Sequence, residues 1–379
     1  MRAKNGGKML DISLVMLAAG DSTRFKCVVK KQFIRLGADP LWLYATKNLS
    51  ARYPFKKIII ASNHSAYMQK FAPHYEFVKG GKTRAESLKN ALAKINTEFV
   101  MVSDVARVCI SKALFSRLIQ NTHNAECITP ALKVADTALY NDEALKREQI
   151  KLIQTPQISR TTLLKKALSQ GKEFTDDSTA MASLGAKIWF VEGEESARKI
   201  TFKEDLKKLD LPAPASEIFC GNGFDVHSFG EKRPLILGGV EIHKTMGLKA
   251  HSDGDVLAHA LIDALLGAAG LGDIGELYPD TNAKYKNADS MKLLQNAYKK
   301  VQEVGFELVN ADISVIAQEP KLAKFKSQIA QNLAKMLNLE EFRVNVKATT
   351  TENLGFIGRK EGIGVFASVN LRYFDWTKQ

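Results

Sequence analysis

The amino-acid sequence predicts an α/β protein with two domains. The chain has 379 residues, which is more than one ordinary domain contains. At ~150 residues per domain, a chain of this length is expected to form two or three domains. Short β-rich runs alternate with helical patterns, which is typical of α/β folds. The stretch "LDLPAPASEIF" interrupts this alternation with two prolines and small residues, as a linker would. We therefore predict a first domain over 1–210, a linker over 211–217 and a smaller α/β domain over 218–379.

Composition and hydropathy exclude several classes of protein. The four cysteines lie far apart without C-x-x-C spacing, so neither a disulfide framework nor a cysteine zinc knuckle is expected. The N-terminal segment mimics a secretory signal only superficially, because its apolar run is short and Asp11 interrupts the flank. No apolar run approaches the ~18 residues that span a bilayer. The sequence predicts a cytoplasmic protein with no membrane partner.

The net charge of +13 raises the question of nucleic-acid binding. The basic residues are scattered along predicted helices, such as residues 163–172, and do not cluster with aromatic residues. A positive field equally suits small phosphorylated metabolites. We therefore expect phosphorylated small-molecule substrates and no nucleic-acid partner.

The first domain alternates strands with helices. The strand-like runs are "ISLVML", "KKIIIAS", "EFVMVS" and "KIWFVEG", and the helical runs are "RAESLKNALAKI" and "TTLLKKAL". In the first helical run, apolar residues recur at helical spacing from Ala85 to Ile95. This alternation predicts a doubly wound, Rossmann-like sheet.

The first strand leads into a loop suited to a nucleoside triphosphate. Residues 18–20 are small enough to let backbone N–H groups approach phosphate oxygens, and Arg24, Lys30 and Lys31 follow with positive charge. The alternative is an ordinary turn after a strand. A Walker motif is rejected, because "GGKT" is preceded by Glu76 where the motif requires glycine. A nicotinamide site is not expected, because the first βα turn lacks G-x-G-x-x-G.

Asp104 follows the strand-like run "EFVMVS". A carboxylate at the carboxyl end of a strand is where an α/β nucleotide enzyme would hold Mg²⁺. The alternative is that this aspartate caps the following helix. The spacing alone leaves both interpretations open.

Several motifs of the first domain occur together, in this order, in one known enzyme family. They are "AAGDSTRF", "KKQF", "GGKTRAESL", "SDVARV", "KVADT", "IQTPQ", "FTDDS" and "ITFKEDL". Together they resemble the 2-C-methyl-D-erythritol 4-phosphate cytidylyltransferases of the non-mevalonate isoprenoid pathway, over nearly the whole domain. The chain departs from the family pattern at Ser22, where glycine is usual, and at Lys30, where proline is usual.

This resemblance implies the roles of individual residues. Arg24 and Lys31 would stabilise charge on the α-phosphate of CTP in the transition state, and Mg²⁺ would accompany the nucleotide phosphates. The residues expected at CTP are Ala18, Ala19, Gly20, Gly81 and Ser87. Those expected to serve the methylerythritol phosphate, some across a dimer interface, are Asp104, Arg107, Thr137, Arg147, Thr175 and Lys199, with Arg147 and Lys199 also expected to be catalytic.

The second domain is a further series of strands and helices. The strand-like runs are "GFDVHSF", "ADISVIAQ", "RVNVKATT" and "VFASVNLRYF". Helical patterns occur near residues 253–269, 290–304 and 322–337. The sequence therefore predicts a second, smaller α/β unit.

An aspartate and two histidines form a candidate metal site in this domain. Asp225 and His227 are two apart on a strand, so both side chains project from one face, and His259 falls one turn into the helix that opens at "SDGD". Such a set suits catalytic zinc and leaves a fourth position for substrate. Asp255 and Asp263 share the helical stripe of His259 and would orient its imidazole. The alternative is that "SDGD" simply caps the helix, and both interpretations can hold together.

Long motifs of this domain also match one known family. "GNGFDVHSF", "LILGGVEI", "GLKAHSDGDVLAHALIDALLGAAGLGDIGELYPDT", "AQEPKL" and "VKATTTENLGFIGRKEGI" resemble 2-C-methyl-D-erythritol 2,4-cyclodiphosphate synthases from end to end. The resemblance implies zinc, or a similar divalent metal, on Asp225, His227 and His259, and Mg²⁺ on Glu352. The other residues it implicates are His251 and Thr350 in transition-state stabilisation, His251, Ser252, Phe356 and Arg359 at phosphates, Asp273, Gly275 and Asp280 at the methylerythritol, and Ala317, Pro320, Lys321, Ala348 and Thr349 at cytidine.

Together the two resemblances predict an enzyme that catalyses two non-consecutive steps of isoprenoid-precursor synthesis. The intervening phosphorylation needs a separate kinase as a pathway partner, because the chain has no P-loop and no protein-kinase signature. The relatives imply a homo-oligomer with dimer and trimer contacts, such as a hexamer. One alternative is a sugar-type nucleotidyltransferase fused to a zinc phosphohydrolase, and another is a basic RNA-binding protein with a structural metal.

Overall fold

The computed structural model describes residues 4–5, 8–172 and 174–378. In sequence, the chain divides into two compact units between Pro212 and Ala213, a point that lies inside the predicted linker 211–217. The domain limits of 1–210 and 218–379 stay a prediction, and they include terminal residues outside those described. Within the described residues, no helix is long and apolar enough to cross a membrane.

The first unit combines one large sheet with helices on its two faces. Its strands are β1 (Lys4–Asn5), β2 (Lys8–Met9), β3 (Ile12–Leu17), β4 (Arg35–Leu36), β5 (Asp39–Pro40), β6 (Ile58–Ser62), β7 (Glu76–Lys79), β8 (Phe99–Asp104), β9 (Cys127–Lys133), β10 (Leu139–Tyr140), β11 (Glu143–Ala144), β12 (Lys151–Ile153), β13 (Gln157–Arg160) and β14 (Ile188–Glu192). Its helices are α1 (Leu41–Ser50), α2 (Ser65–Gln69), α3 (Arg84–Leu92), α4 (Lys112–Gln120), α5 (Thr161–Ser169) and α6 (Asp177–Ala182).

The large sheet has the strand order β12-β9-β13-β8-β3-β6-β7, and β14 pairs with β9. Strands β8, β3, β6 and β7 are parallel neighbours, whereas β13 runs antiparallel to both β8 and β9. The predicted α/β class is confirmed, but strands β7, β9, β12 and β13 of this sheet were not predicted from the sequence. Strand β9 gave no clear signal because it contains Pro130, and β13 carries the polar residues Gln157 and Ser159 at two of its three buried positions.

Helix α3 illustrates how local sequence builds the packed layers. Its N-cap is Thr83, whose hydroxyl accepts a hydrogen bond from the Glu86 N–H at 3.1 Å. Its apolar stripe, including Leu88 and Leu92, is buried against β3, β6 and β8. The helix ends at Leu92, three residues before the end of the predicted pattern at Ile95.

The second unit is a five-stranded sheet with helices and a separate hairpin. Its strands are β15 (Ile218–Glu231), β16 (Leu235–Leu237), β17 (Val240–His243), β18 (Gly247–Leu248), β19 (Phe306–Ile316), β20 (Val344–Thr349) and β21 (Gly362–Tyr373). Its helices are α7 (Val256–Ala268), α8 (Ile274–Leu277), α9 (Ser290–Glu303), α10 (Lys326–Leu337) and α11 (Gly355–Gly358). The sheet order is β18-β15-β21-β19-β20, with β19 and β20 parallel and the other pairs antiparallel.

Helix α7 packs very closely on strand β15. A Cβ atom on Gly221 would overlap the Ala264 carbonyl oxygen, and one on Gly223 would overlap the Ala260 carbonyl oxygen. Only glycine permits this approach of the two backbones. Because side chains alternate along a strand, Gly221 and Gly223 share a face with Asp225 and His227. The glycines therefore bring the helix that carries His259 onto the strand that carries the other two candidate ligands.

Candidate active sites in the two units

The carboxyl ends of four parallel strands border a cleft of about 660 Å³ in the first unit. Parallel strands end at the same edge of a sheet, so the residues that follow β3, β6, β7 and β8 converge there. The cleft is lined by these sequence-predicted residues: Ala18, Ala19, Gly20, Arg24, Lys31, Gly81, Ser87, Asp104 and Lys199. The structure thus brings together the phosphate loop and most of the residues predicted to act with it.

Ser22 fixes the shape of the phosphate loop. Its φ of 59° lies in the left-handed region, where glycine is favoured. The Ser22 hydroxyl donates to Gln32 Oε1 at 3.1 Å and accepts from the Lys31 N–H at 3.1 Å. Serine at this position therefore ties the loop that carries Arg24 to the turn that carries Lys31. Glycine would permit the same backbone but could not make this tie.

The turn after β7 approaches the phosphate loop closely. A Cβ atom on Gly80 would overlap the Ala19 side chain, so glycine is required at that position. The next residue, Gly81, donates its N–H to Ser87 Oγ at 2.9 Å, and this hydroxyl donates to the Thr83 carbonyl oxygen at 3.0 Å. The first turn of α3 therefore holds the predicted CTP-contacting backbone in place. Gly80 was not singled out from the sequence.

Lys31 is the most buried of the basic groups predicted to meet the phosphates. Its ammonium group donates to the Ile200 carbonyl oxygen at 2.7 Å. Burial, together with the neighbouring charge of Lys199, lowers the pKa of Lys31 to about 8 against the opposing effect of Asp104. An anionic ligand in the cleft would favour the protonated form of this lysine.

Asp104 belongs to a buried ion cluster. Its carboxylate lies 2.7 Å from Lys199 Nζ and 3.5 Å from Arg84 Nε, and Arg84 also contacts Asp177 at 2.7 Å. Burial alone would raise the pKa of Asp104, but Arg84 and Lys199 lower it to about 2. Two cations already neutralise this carboxylate, so its interpretation as a Mg²⁺ ligand is not favoured. The helix-cap alternative is wrong, because α4 is capped by Ser111.

Arg84 is a functional candidate that sequence reasoning missed. It lies within the quoted motif "GGKTRAESL", but its acidic partners are distant in sequence and are placed by β8 and α6. Burial alone would lower the pKa of Arg84, yet Asp177 and Asp104 raise it well above its ordinary value. The side chain lines the cleft and forms an ion pair with Asp104.

Four predicted substrate residues do not line the cleft within this chain. Arg107 is turned to the protein interior, where it donates to the Ala197 carbonyl oxygen at 2.7 Å. Thr175 is exposed near the start of α6. Thr137 and Arg147 lie on an exposed excursion around β10 and β11, and Arg147 donates to the Ala135 carbonyl oxygen at 2.9 Å. Their substrate roles stay a prediction.

In the second unit, the structure assembles the predicted metal site. The ligand atoms of Asp225, His227 and His259 lie within 4.8 Å of one another. His227 Nε2 is 2.9 Å from Asp225 Oδ2, and His259 Nδ1 is 3.2 Å from the same oxygen. Burial alone would raise the pKa of Asp225, but the two neighbouring imidazoles hold it well below its ordinary value. One carboxylate oxygen and two ring nitrogens facing a common point form a donor set that fits a divalent transition metal.

The aspartates expected to orient His259 do other work. Asp255 is fully buried and caps α7, accepting from the N–H groups of Ala258, Gly238 and Gly239 at 2.8–3.1 Å. Asp263 accepts from the Ile274 N–H at 2.7 Å. Sharing a helical stripe was an insufficient signal, because both carboxylates bond to backbone N–H groups of other segments. The capping half of the sequence interpretation is confirmed for Asp255, and the imidazole-orienting role is wrong for both aspartates.

The orienting groups of the two histidines come from elsewhere. His227 Nδ1 lies 2.9 Å from the Lys249 carbonyl oxygen, and His259 Nε2 lies 3.0 Å from the hydroxyls of both Ser252 and Ser290. A carbonyl can only accept, so His227 Nδ1 carries a hydrogen, and in the neutral ring Nε2 then offers its lone pair. Each ring therefore uses its outer nitrogen for protein contacts and its inner nitrogen for the candidate metal.

The remaining predicted residues of this unit lie in two places. His251, Asp273, Gly275 and Asp280 are exposed near the loops that flank α7, and Asp273 caps α8 by accepting from the Glu276 N–H at 2.8 Å. The residues expected at cytidine and phosphate lie at or beyond the carboxyl ends of β19 and β20, namely Ala317, Pro320, Lys321, Ala348, Thr349, Thr350, Glu352, Phe356 and Arg359. Glu352 Oε1 accepts from the Thr350 hydroxyl at 2.6 Å, which places these two predicted residues together.

Comparison with known proteins identifies the family of each unit. Residues 12–211 match the 2-C-methyl-D-erythritol 4-phosphate cytidylyltransferase (IspD) family, and residues 218–372 match the YgbB family. A bifunctional enzyme IspD/IspF from Campylobacter jejuni is 72% identical over 370 residues, covering 98% of this chain and 100% of the relative. The chain belongs to the bifunctional IspD/IspF enzymes. The corresponding enzyme from Campylobacter lari is 67% identical with the same coverage.

A solved structure supports the same assignment. The structure of the bifunctional IspDF from Campylobacter jejuni matches with a TM-score of 0.94 at 72% identity, covering 97% of this chain and 100% of that chain. Both resemblances inferred from sequence motifs are therefore confirmed. The chain is an enzyme that combines an IspD cytidylyltransferase domain with an IspF cyclodiphosphate synthase domain. The alternative of a sugar-type nucleotidyltransferase fused to a phosphohydrolase is not favoured.

Proposed function

We propose that each unit catalyses its reaction with the residues that the structure gathers at its site. In the first unit, a phosphate oxygen of 2-C-methyl-D-erythritol 4-phosphate attacks the α-phosphorus of CTP, and the bond to the bridging oxygen breaks to release pyrophosphate. The observation that carries this proposal is the cleft at the strand ends, in which the small-residue loop, Arg24 and Lys31 meet. No protein nucleophile is needed, because positioning and charge stabilisation suffice for phosphoryl-type transfer.

Residues of the first cleft divide into two groups in this proposal. The nucleotide group comprises Ala18, Ala19, Gly20, Gly81 and Ser87, with Arg24 and Lys31 at the phosphates. The substrate group comprises Asp104 and Lys199, supplemented by Arg107, Thr137, Arg147 and Thr175. The Asp104 carboxylate, ionised beside Arg84 and Lys199, accepts hydrogen bonds from substrate hydroxyls. Mg²⁺ accompanies the triphosphate as its counter-ion.

In the second unit, the 2-phosphate of 4-diphosphocytidyl-2-C-methyl-D-erythritol 2-phosphate attacks its own β-phosphorus. The bond to the α-phosphate breaks, CMP leaves and the 2,4-cyclodiphosphate closes. Asp225, His227 and His259 would hold zinc or a similar divalent metal, which supplies Lewis-acid polarisation of the β-phosphate. The side chains proposed to bind the substrate and stabilise the transition state are His251, Ser252, Asp273, Gly275, Asp280, Thr350, Phe356 and Arg359. Glu352 would hold Mg²⁺ at the diphosphate.

A homo-oligomer completes this second site. Asp225 pairs with Val365, Val365 with Val315, and Val315 with Ala348, so the candidate metal site and the proposed cytidine pocket are three strands apart. At ~4.8 Å per strand, this separation is roughly 14 Å within one chain. Such a spread supports sites shared between copies of the chain, with dimer and trimer contacts.

We also propose a cytoplasmic location, which suits the four free cysteines, and a separate kinase as the pathway partner.

The direct test supplies each substrate to the purified chain separately. With CTP, Mg²⁺ and methylerythritol 4-phosphate, the product should be the cytidine-diphospho compound and pyrophosphate. With the phosphorylated cytidine-diphospho substrate, the products should be CMP and the cyclic diphosphate. Turnover of sugar 1-phosphates, or release of free phosphate in place of the cyclic product, would contradict the proposal.

The pH dependence of the first reaction should follow Lys31. This lysine must be protonated to meet the phosphates, and its pKa of about 8 means that it loses its charge as pH rises through that value. We expect kcat/KM for CTP to fall above about pH 8, as one proton is lost from the free enzyme. In Lys31→Arg the group stays protonated, so the descending limb should move to higher pH. An unchanged limb in that variant would assign the titration to another group.

Substitution of Ser22 should change the kcat of cytidylyl transfer without changing thermal stability. In Ser22→Gly the left-handed strain disappears together with two hydrogen bonds, so thermal stability should change little. The Arg24 loop and the Lys31 turn would no longer be tied, and we expect kcat for cytidylyl transfer to fall by about 10-fold. Lys26→Gly is the matched control, because Lys26 is also left-handed, is exposed and caps the same short helix without a side-chain bond. Equal kcat values for both variants would show that the tie has no catalytic role.

A further inference from the structure

A buried polar cluster lies behind the candidate metal site, on the outer side of His259. It consists of Ser252 and Asp253 from the loop before α7, and Ser290 from the first turn of α9. Ser290 is 0% exposed and Ser252 is 6% exposed. Two elements that are distant in sequence therefore meet at one ring nitrogen, His259 Nε2, which lies 3.0 Å from each serine hydroxyl.

The Ser290 hydroxyl donates its hydrogen bond to the Asp253 carboxylate. Ser290 Oγ donates to Asp253 Oδ1, and the Ser290 N–H donates to Asp253 Oδ2 at 3.1 Å. The Ser252 oxygen lies farther from Ser290 Oγ, at 3.3 Å, and a neutral hydroxyl is a weaker acceptor than a carboxylate. Because Ser290 has only one hydroxyl hydrogen, its oxygen can take part in the contact with His259 only as an acceptor.

The hydrogen bond from Ser290 to Asp253 determines the tautomer of His259. If Ser290 Oγ accepts, His259 Nε2 must carry a hydrogen, and in the neutral ring Nδ1 then presents its lone pair beside Asp225 and His227. The Lys249 carbonyl oxygen fixes the other ring in the corresponding way, through His227 Nδ1. The two imidazoles are thus set by different acceptors, one from the backbone and one from a side-chain pair.

The hydroxyl hydrogen of Ser252 remains able to bond to a ligand. Ser252 Oγ accepts from the Gly254 N–H at 3.2 Å and lies beside the protonated Nε2 of His259. Among the described residues of this cluster, the acceptor within reach of its hydrogen is Ser290 Oγ at 3.3 Å, a long contact. The hydroxyl can therefore turn toward a phosphate oxygen without disturbing the histidine.

We propose that Ser290, held by Asp253, is the positioning residue that sets the metal-binding tautomer of His259, while Ser252 directs its hydroxyl hydrogen to a substrate phosphate. The inference rests on the proposed function of the trio as a metal site. Ser290 needs no contact with substrate, and its effect passes entirely through the imidazole.

The test is the zinc affinity of the full-length chain, measured by competition with a chromogenic chelator. Ser290→Ala should weaken zinc binding by about 10- to 100-fold, the usual effect of losing an outer hydrogen-bond partner of a ligating histidine. Ser252→Ala should leave zinc affinity within about two-fold of wild type while cyclisation slows, because a hydrogen bond to the phosphate is lost. Cytidylyl transfer by the other unit reports in every variant that the chain has been recovered in active form.

A neighbouring residue provides the matched structural control. Asp289 caps α9 by accepting from the Met291 and Lys292 N–H groups at 3.0 and 3.2 Å, and within the part of the chain that the structure describes no hydrogen bond joins it to His259. Asp289→Ala should destabilise the start of α9 but retain wild-type zinc affinity. Equal losses of zinc affinity in Asp289→Ala and Ser290→Ala, or an unchanged affinity in Ser290→Ala, would overturn the inference. A wild-type chain that binds no zinc would overturn the metal site itself, and this inference with it.

Discussion

Replacing Arg24 with alanine is expected to lower kcat for cytidylyl transfer by about 10²-fold or more, with little loss of stability. The arginine is exposed at the edge of the cleft, on the short helix Thr23–Phe25, and Phe25 anchors that helix in the core with 1% exposure. Truncation of Arg24 therefore removes a positive charge that would stabilise the transition state, while Phe25 still holds the short helix in the core. Steady-state kinetics with CTP and methylerythritol 4-phosphate measure the loss.

The matched control for this variant is Lys89→Ala. Lys89 is an exposed cation on α3 that does not line the cleft, so its loss changes net charge equally and should leave kcat near the wild-type value. A similar decrease in both variants would point to a general effect of net charge on substrate attraction. Near-normal turnover in Arg24→Ala would remove this arginine from the catalytic group.

Replacing His259 with alanine should abolish both metal binding and cyclisation. The substitution removes one of three ligands from a set whose donor atoms lie within 4.8 Å of one another. The two remaining groups, Asp225 and His227, still lie 2.9 Å apart but offer too few ligand atoms to hold zinc through purification. Metal content by atomic emission and cyclisation by product analysis are the two measurements.

Two internal controls accompany the His259 variant. Cytidylyl transfer should be unaffected, since that reaction belongs to the other compact unit. His243→Ala removes an exposed histidine of β17 and should retain metal and cyclisation. Full cyclisation by metal-depleted His259→Ala protein would contradict the metal role assigned to the trio.

The sequence predicts the candidate sites best where the active residues are close along the chain. Asp225 and His227 are two apart on a strand and share one face, and this spacing was visible in "GFDVH". The small-residue loop after β3 was recognisable in the same way. In these stretches the local period of the backbone already determines which side chains share a face.

Contacts made across the fold were not predictable from local patterns. Arg84 reaches Asp177 through the meeting of α3 and α6, and Ser290 reaches His259 through the packing of α9 against α7. Asp255 and Asp263 show that local spacing can also predict contacts that do not form. Their helical spacing suggested contacts with His259, but their carboxylates accept hydrogen bonds from backbone N–H groups instead. The antiparallel strand β13 was not recognisable because it is short and two of its three buried positions, Gln157 and Ser159, are polar.

The most direct test of the account is a ³¹P NMR time course with the purified chain, CTP, Mg²⁺ and methylerythritol 4-phosphate, to which ATP and a separate kinase for the intermediate are added later. We expect pyrophosphate and the cytidine-diphospho product in the first phase. CMP and the cyclic diphosphate should form only after the kinase is added. Intact CTP in the presence of folded protein would contradict the first activity, and a phosphorylated intermediate that accumulates without cyclising would contradict the second.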